Sequence, residues 1–166
     1  MSKRIATVGL FIALAMIFSY IEAILPLNIG IPGVKLGIAN IVVVVALYRL
    51  GIKEAAVISA VRILLMGLLF GNLASLWYSF AGGLLSFVGM VVCKRLKLSV
   101  IGVSAVGGVL HNFGQLAAAA ILLNSVSVGY YLPVLQISGL VTGLLIGAAS
   151  HYINKALDRY SASKAA

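Results

Sequence analysis

The sequence predicts an all-α integral membrane protein with six transmembrane helices and both termini in the cytoplasm. Of its 166 residues 63% are hydrophobic and 9% are charged, and the mean hydropathy is +1.18. A soluble domain of this size needs more polar surface than this composition supplies. Ten of the twelve Lys and Arg residues fall in four short clusters. The apolar segments between neighbouring clusters are long enough for two membrane spans each, so all four clusters lie on one side of the bilayer.

The four clusters predict the orientation and the number of spans. They are Lys3/Arg4, Arg49/Lys53, Lys94/Arg95/Lys97 and Lys155/Arg159/Lys164. The positive-inside rule places them in the cytoplasm, and five or seven helices would move the last cluster outside. The spans are predicted at about 5–25, 36–50, 54–71, 74–93, 99–123 and 131–153, within a single transmembrane domain of residues 1–166 that ends in a flexible tail at 161–166. The first apolar run is too long for a usual signal peptide and is predicted to be an uncleaved helix.

Small residues recur at four-residue spacing in several of these spans. Gly139 and Gly143 are examples in the sixth span. Because small side chains let helix backbones approach closely in lipid, this spacing predicts packing within the bundle. A similar face on the first span, made of Ala6, Gly9 and Ala13, is a candidate contact surface for another subunit.

Candidate functional residues are the polar side chains that lipid would penalise. Charged groups at membrane depth normally face the bundle interior and bind a partner or a ligand. Most of the candidates lie at mid-membrane or in the outer half, which predicts a polar pocket open to the outside. The predicted substrate-binding residues are Glu22, Lys35, Asn40, Arg62, Asn72, Tyr78, His111, Asn112, Gln115 and Gln136.

Each of these residues also has a structural alternative. For Arg62, a structural role as a cation paired with Glu22 or with helix carbonyls is as consistent with the sequence as ligand contact. For His111 and Asn112, hydrogen bonds between helices are as consistent with the sequence as ligand contact. Lys35 has the length to snorkel to outer headgroups. Interfacial anchoring is favoured over ligand contact for the outer aromatic residues, Trp77, Tyr78, Tyr130 and Tyr131.

The composition argues against several functional classes. The three acidic residues, Glu22, Glu54 and Asp158, are scattered along the chain and form neither a carboxylate pair nor an acidic metal cage. A Walker-type loop is missing as well, so ATP hydrolysis by this chain is not expected. No metal and no other cofactor is predicted. The net charge of +9 lacks an aromatic-interleaved basic stripe, which favours lipid headgroups over nucleic acid as the partner.

Three stretches of the sequence carry a family resemblance. They are residues 32–40 (PGVKLGIAN), residues 62–86 with Gly71-Asn72 and YSFAGGLLS, and residues 111–116 (HNFGQL). Together they resemble the Gx transporter family, whose members are also named heptaprenyl diphosphate synthase component I. That family is similar to the S-components of energy-coupling factor (ECF) transporters. The resemblance implies an S-component-like bundle in the cell membrane of a bacterium.

The resemblance implies a membrane subunit that binds a small organic solute for uptake, energised by partner ATPases through an ECF transmembrane subunit. Lys35 and Arg62 favour an anionic solute, and the 26–35 loop would close over it. S-components commonly present Ala-x-x-x-Ala on the first helix, where this chain has Gly9 and Ala13. The alternative is a non-catalytic accessory subunit in heptaprenyl diphosphate or menaquinone biosynthesis, because Asp158 is the one Asp and prenyl-elongating enzymes need Asp-rich magnesium motifs. A stand-alone carrier is a third interpretation.

Overall fold

The computed structural model describes residues 2–24 and 36–165, and these are almost entirely helical. The helices are α1 (Ser2–Ile24), α2 (Ala39–Arg49), α3 (Ile52–Phe70), α4 (Leu73–Arg95), α5 (Val100–Leu122), a 3-10 helix (Val126–Tyr131) and α6 (Leu132–Ala165). Within the described ranges there is no strand, which confirms the predicted all-α class, and each predicted span corresponds to one α-helix. Lys35 and the rest of the predicted 26–35 loop lie outside the described residues.

Four helical segments are long and apolar enough to cross a membrane. They are Lys3–Ile24, Leu73–Arg95, Val100–Leu122 and the long stretch Val126–Lys164. α2 has only 11 residues, which at about 1.5 Å per residue is roughly 17 Å, about half of a hydrocarbon core. α3 is long enough but carries Lys53, Glu54 and Arg62. The chain is therefore a membrane protein with four clear spanning candidates, and α2 and α3 are the two helices that depart from an ordinary span.

α2 forms the centre of the packed interior. Seven of its 11 residues are buried, in keeping with a Val-rich sequence that is apolar on every side. Glycines with positive φ flank it, Gly37 at +70° before it and Gly51 at +114° after it, a conformation that other residues adopt at a cost. The buried core around α2 draws on all the other α-helices through Ala15, Ile58, Met90, Val103 and Ile146.

Glycines bring the backbones of α5 and α6 into direct contact. A Cβ atom at Gly139 would lie 2.6 Å from the carbonyl oxygen of Gly108, and one at Gly143 would lie 2.8 Å from Cα of Ala105. Neighbouring helices can approach this closely only where side chains are missing. The predicted packing role of this glycine face is confirmed.

The four basic clusters meet at one end of the bundle, where α1, α3 and α5 begin and α2, α4 and α6 end. Arg4 forms an ion pair with Glu54, which joins the first turns of α1 and α3. Nζ of Lys94 donates to the carbonyl oxygen of Leu47 at 2.5 Å, which joins the ends of α4 and α2. Arg49, at the end of α2, donates to side chains of α6. We call this end the basic end.

The C-terminal helix is longer than predicted. The sixth span was expected to end near residue 153 and to be followed by a flexible tail at 161–166, whereas α6 continues to Ala165. Its 34 residues correspond to about 51 Å, so the last turns extend beyond a hydrocarbon core. Within the predicted tail the side-chain Oγ of Ser161 donates to the carbonyl oxygen of Leu157 at 2.9 Å.

Candidate functional site

Polar side chains from three helices meet around Arg62 of α3. Nη2 of Arg62 donates to Oδ1 of Asn40, in the first turn of α2, at 3.1 Å. Oε1 of Glu22, near the end of α1, accepts from the backbone N–H of Gly37 at 2.6 Å, and the Glu22 carboxylate interacts electrostatically with Arg62. We call Glu22, Asn40 and Arg62 the Arg62 cluster. It unites three of the predicted site residues.

Glu22 and Arg62 interact without a direct ion pair. Among the described residues the ion pairs within 4.0 Å are Arg4–Glu54 and Arg49–Asp158. The Glu22 carboxylate instead faces the backbone just before α2, where the positive end of the helix dipole favours a negative charge. Glu22 therefore holds the start of α2 against α1, and Arg62 donates a hydrogen bond to the neutral amide of Asn40.

The Arg62 cluster has unused hydrogen-bonding capacity. Nε of Arg62 is buried without a hydrogen-bond partner. Outside the cluster, on α1, Oγ of Ser19 is also buried without one. A guanidinium has five N–H donors and no acceptor, and a buried donor without a partner costs about 1–3 kcal/mol. An acceptor-rich group such as a carboxylate would satisfy it. Ser19 was not among the predicted residues, although its position three residues before Glu22 places the two on one face of α1.

A second group of predicted residues lies where α4 meets α5. A Cβ atom at Gly82 would lie 2.7 Å from Cγ of Gln115 and 3.3 Å from Cε1 of His111, so the missing side chain makes room for both. Tyr78 is half-buried one turn earlier on α4, on the same helix face as Gly82. His111 and Gln115 therefore lie at one helix contact, and Tyr78 is one turn away from it on the same face of α4.

Asn112 acts between helices, as one of its two interpretations predicted. Its side chain is 9% exposed, and Nδ2 donates to the carbonyl oxygen of Leu135 at 2.5 Å. This bond ties the middle of α5 to the first turn of α6. Gln136, which follows Leu135 in α6, has a buried Oε1 without a hydrogen-bond partner. Of these two predicted residues, Gln136 is the one with an unused polar atom.

Asn72 caps the start of α4. Its Oδ1 accepts from the backbone N–H of Ser75 at 2.8 Å, and its own N–H donates to Oγ of Ser75 at 2.9 Å. This reciprocal pair is a capping box that satisfies two otherwise unpaired backbone donors. Asn72 is exposed, and the cap accounts for it without a ligand.

Replacing Asn72 by alanine should therefore lower stability and leave ligand affinity unchanged. The expected loss in the free energy of unfolding is about 1 kcal/mol, because the helix start loses its cap. Thermal unfolding of the purified protein in detergent measures this loss. Asn72→Asp is the matched control, since its carboxylate can still cap the helix, and equal destabilisation by both substitutions would contradict the capping role.

The exposed aromatic residues at the end opposite the basic end suit a membrane interface. Trp77 is 59% and Tyr130 is 88% exposed, and such amphipathic rings are typical of the headgroup level.

Within residues 2–24 and 36–165 no three His, Cys, Asp or Glu side chains lie close enough together to hold a metal ion.

Comparison with protein families identifies the chain over most of its length. The family model described as heptaprenyl diphosphate synthase component I matches residues 11–153. The chain belongs to this family. The matched region contains the Arg62 cluster and the α4–α5 contact, and it ends just before Asn154, which binds Arg49. Comparison with curated proteins and with solved structures finds no match.

Proposed function

We propose that this member of the heptaprenyl diphosphate synthase component I family is a substrate-binding membrane subunit of the ECF S-component type. The observation that carries the proposal is the Arg62 cluster, in which a buried Nε donor lies beside Asn40 and within the field of Glu22. Ionisable side chains inside a membrane bundle typically mark a ligand or ion pathway. The donors of Arg62 suit a small organic solute that carries a carboxylate or a phosphate.

The charge distribution supports the direction of uptake. With the basic end in the cytoplasm of a bacterial cell, both termini are cytoplasmic and the opposite end faces outward. Residues 26–35, which follow α1 and precede α2 in the sequence, would close over the bound solute with Lys35. The bond from the backbone N–H of Gly37 to Glu22 holds the chain just before α2 against α1.

Transport energy would come from partner ATPases, since the sequence lacks a Walker-type loop. α1 offers a docking face for an ECF transmembrane subunit. Ala6, Gly9 and Ala13 are all exposed, and nothing lies within 4 Å of a Cβ atom placed at Gly9. Such a small-residue face allows close contact with a helix of another protein.

Replacing Gly9 by leucine should weaken assembly without changing the fold. The new side chain would point into open space in this chain, while it would separate α1 from a closely packed partner helix. Co-purification with an ECF transmembrane subunit and its ATPases should fall by about tenfold, as expected for a loss near 1.4 kcal/mol. Ala23→Leu, an exposed position at the other end of α1, is the control. Equal assembly of both variants would remove α1 as the docking face.

The family description favours a second candidate, a non-catalytic accessory subunit of prenyl diphosphate synthesis. The one Asp, Asp158, forms an ion pair with Arg49 at 2.7 Å, which supports a structural role for this residue and a non-catalytic role for the chain in diphosphate chemistry. Reconstitution distinguishes the candidates. If the purified chain raises the activity of a prenyl synthase catalytic subunit and binds no small solute, the transport proposal fails. Uptake into liposomes without ATP or partners would instead indicate a stand-alone carrier.

A further inference from the structure

A polar cleft opens at the basic end of the bundle, far along the helices from the Arg62 cluster. It has a volume of about 400 Å³ and lies between the end of α2, the start of α5 and residues 151–158 of α6. Its lining residues are Tyr48, Arg49, Val100, His151, Asn154, Lys155 and Asp158. This volume is in the range of small-ligand sites. We call it the basic cleft.

Arg49 organises the polar groups of the basic cleft. Its Nε donates to Oδ1 of Asn154 at 2.8 Å, and its Nη1 pairs with Oδ1 of Asp158 at 2.7 Å. Because Arg49 can only donate, it fixes the amide of Asn154 with the oxygen toward Arg49 and the NH₂ group turned away. It also balances the charge of Asp158. The ammonium of Lys155 then gives the cleft an excess of positive charge.

Two hydrogen-bond donors of the cleft residues are unsatisfied. Nδ2 of Asn154 and the hydroxyl of Tyr48 are buried, and neither has a hydrogen-bond partner. Nζ of Lys94, on α4, lies 4.9 Å from the centroid of the Tyr48 ring. Both residues line the cleft, and because buried donors without partners are costly, an acceptor that either donor can reach would be stabilised. Such donors together with the ammonium of Lys155 suit an anion with several oxygen atoms.

We propose that the basic cleft binds a phosphate group, carried either by the headgroup of a membrane lipid or by a soluble phosphate compound. The cleft lies at the end where the helices leave the apolar region, so both sources reach it. A phosphate there would join Tyr48 of α2 to Asn154 and Lys155 of α6. This site is separate from the solute site at the Arg62 cluster and does not depend on the function proposed for it.

The test uses the full chain in nanodiscs and has two arms. In the first, nanodiscs of phosphatidylcholine are titrated with inorganic phosphate, and binding is followed by calorimetry. In the second, nanodiscs that contain phosphatidylglycerol are studied by native mass spectrometry, and the lipids retained by the protein are counted. Both arms compare the wild type with Lys155→Gln, Tyr48→Phe and Lys164→Gln. Lys164 is the matched control because it lies on α6 outside the cleft.

We expect saturable binding in at least one arm, weakened about tenfold or more by Lys155→Gln and several-fold by Tyr48→Phe, with little change in Lys164→Gln. Binding of inorganic phosphate identifies a soluble compound as a source, and retention of phosphatidylglycerol alone identifies a lipid headgroup. Tyr48→Phe keeps the ring against Lys94, and Lys155 is exposed, so both variants should fold. The proposal is overturned if neither arm shows saturable binding, or if Lys164→Gln weakens binding as much as Lys155→Gln.

Discussion

Replacing Gly139 by alanine should lower the free energy of unfolding by about 1–3 kcal/mol, and replacing it by leucine should prevent the native packing of α5 against α6. A Cβ atom at this position would lie 2.6 Å from the carbonyl oxygen of Gly108 and 2.7 Å from Nδ2 of Asn112. The first of these neighbours is backbone, which cannot turn away as a flexible side chain can. The second is the amide that binds Leu135, so the substitution also disturbs the link to the start of α6.

Thermal unfolding and size-exclusion chromatography in detergent measure this effect. Gly9 is the matched control, since a Cβ atom there meets nothing within 4 Å. Gly9→Ala and Gly9→Leu should unfold like the wild type, because the only change is at an exposed face of α1. If Gly139→Ala is as stable as Gly9→Ala, the contact between α5 and α6 is not as close as described.

Replacing Arg62 by alanine should weaken binding of the solute proposed for the Arg62 cluster at least about tenfold, the loss expected for a charge-assisted hydrogen bond. The substitution removes the unpartnered Nε donor and the bond to Asn40. Native mass spectrometry of the purified wild type identifies the retained solute, and its affinity is then measured for each variant. The solute affinity of Arg62→Lys should lie between that of the wild type and that of Arg62→Ala, since an ammonium keeps the charge and loses the planar set of donors.

Lys53→Ala is the control for this prediction. Lys53 is on the same helix as Arg62 but lies exposed at the basic end, so its removal changes the net charge equally without touching the Arg62 cluster. Its affinity should match that of the wild type. If Arg62→Ala also binds the solute with unchanged affinity, Arg62 is a structural cation and the proposed site has lost its main anionic contact.

The sequence predicted the helices well because their signals are local. Apolar runs of sufficient length, broken by glycines and basic clusters, mark where each helix begins and ends. α2, from Ala39 to Arg49, lies within the expected 36–50 span and is buried at the centre. α6 continues to Ala165, through most of the tail that was predicted to be flexible. The burial of α2 depends on its contacts with the other helices in the core.

The candidate site was predicted in composition but not in arrangement. Glu22, Asn40 and Arg62 meet, whereas Asn72 belongs to a helix cap and Asn112 to a helix contact. The cap had a sequence signal, because Asn is a favoured N-cap residue and Asn72 stands just before an apolar run. The role of Asn112 had no sequence signal, because the sequence does not distinguish an amide that binds a ligand inside a bundle from one that binds a backbone carbonyl.

Hydropathy and charge act on each segment separately, so the amino-acid sequence alone indicates a helical membrane protein whose basic clusters share one end. Which polar side chains meet depends on how the helices pack. Helices that are apolar on nearly every side carry little information about their rotation and register, since any face can be buried at similar gain. Those two quantities are set by close backbone contacts such as Gly108 against Gly139. They decide that Arg62 faces Asn40 and that Arg49 reaches α6.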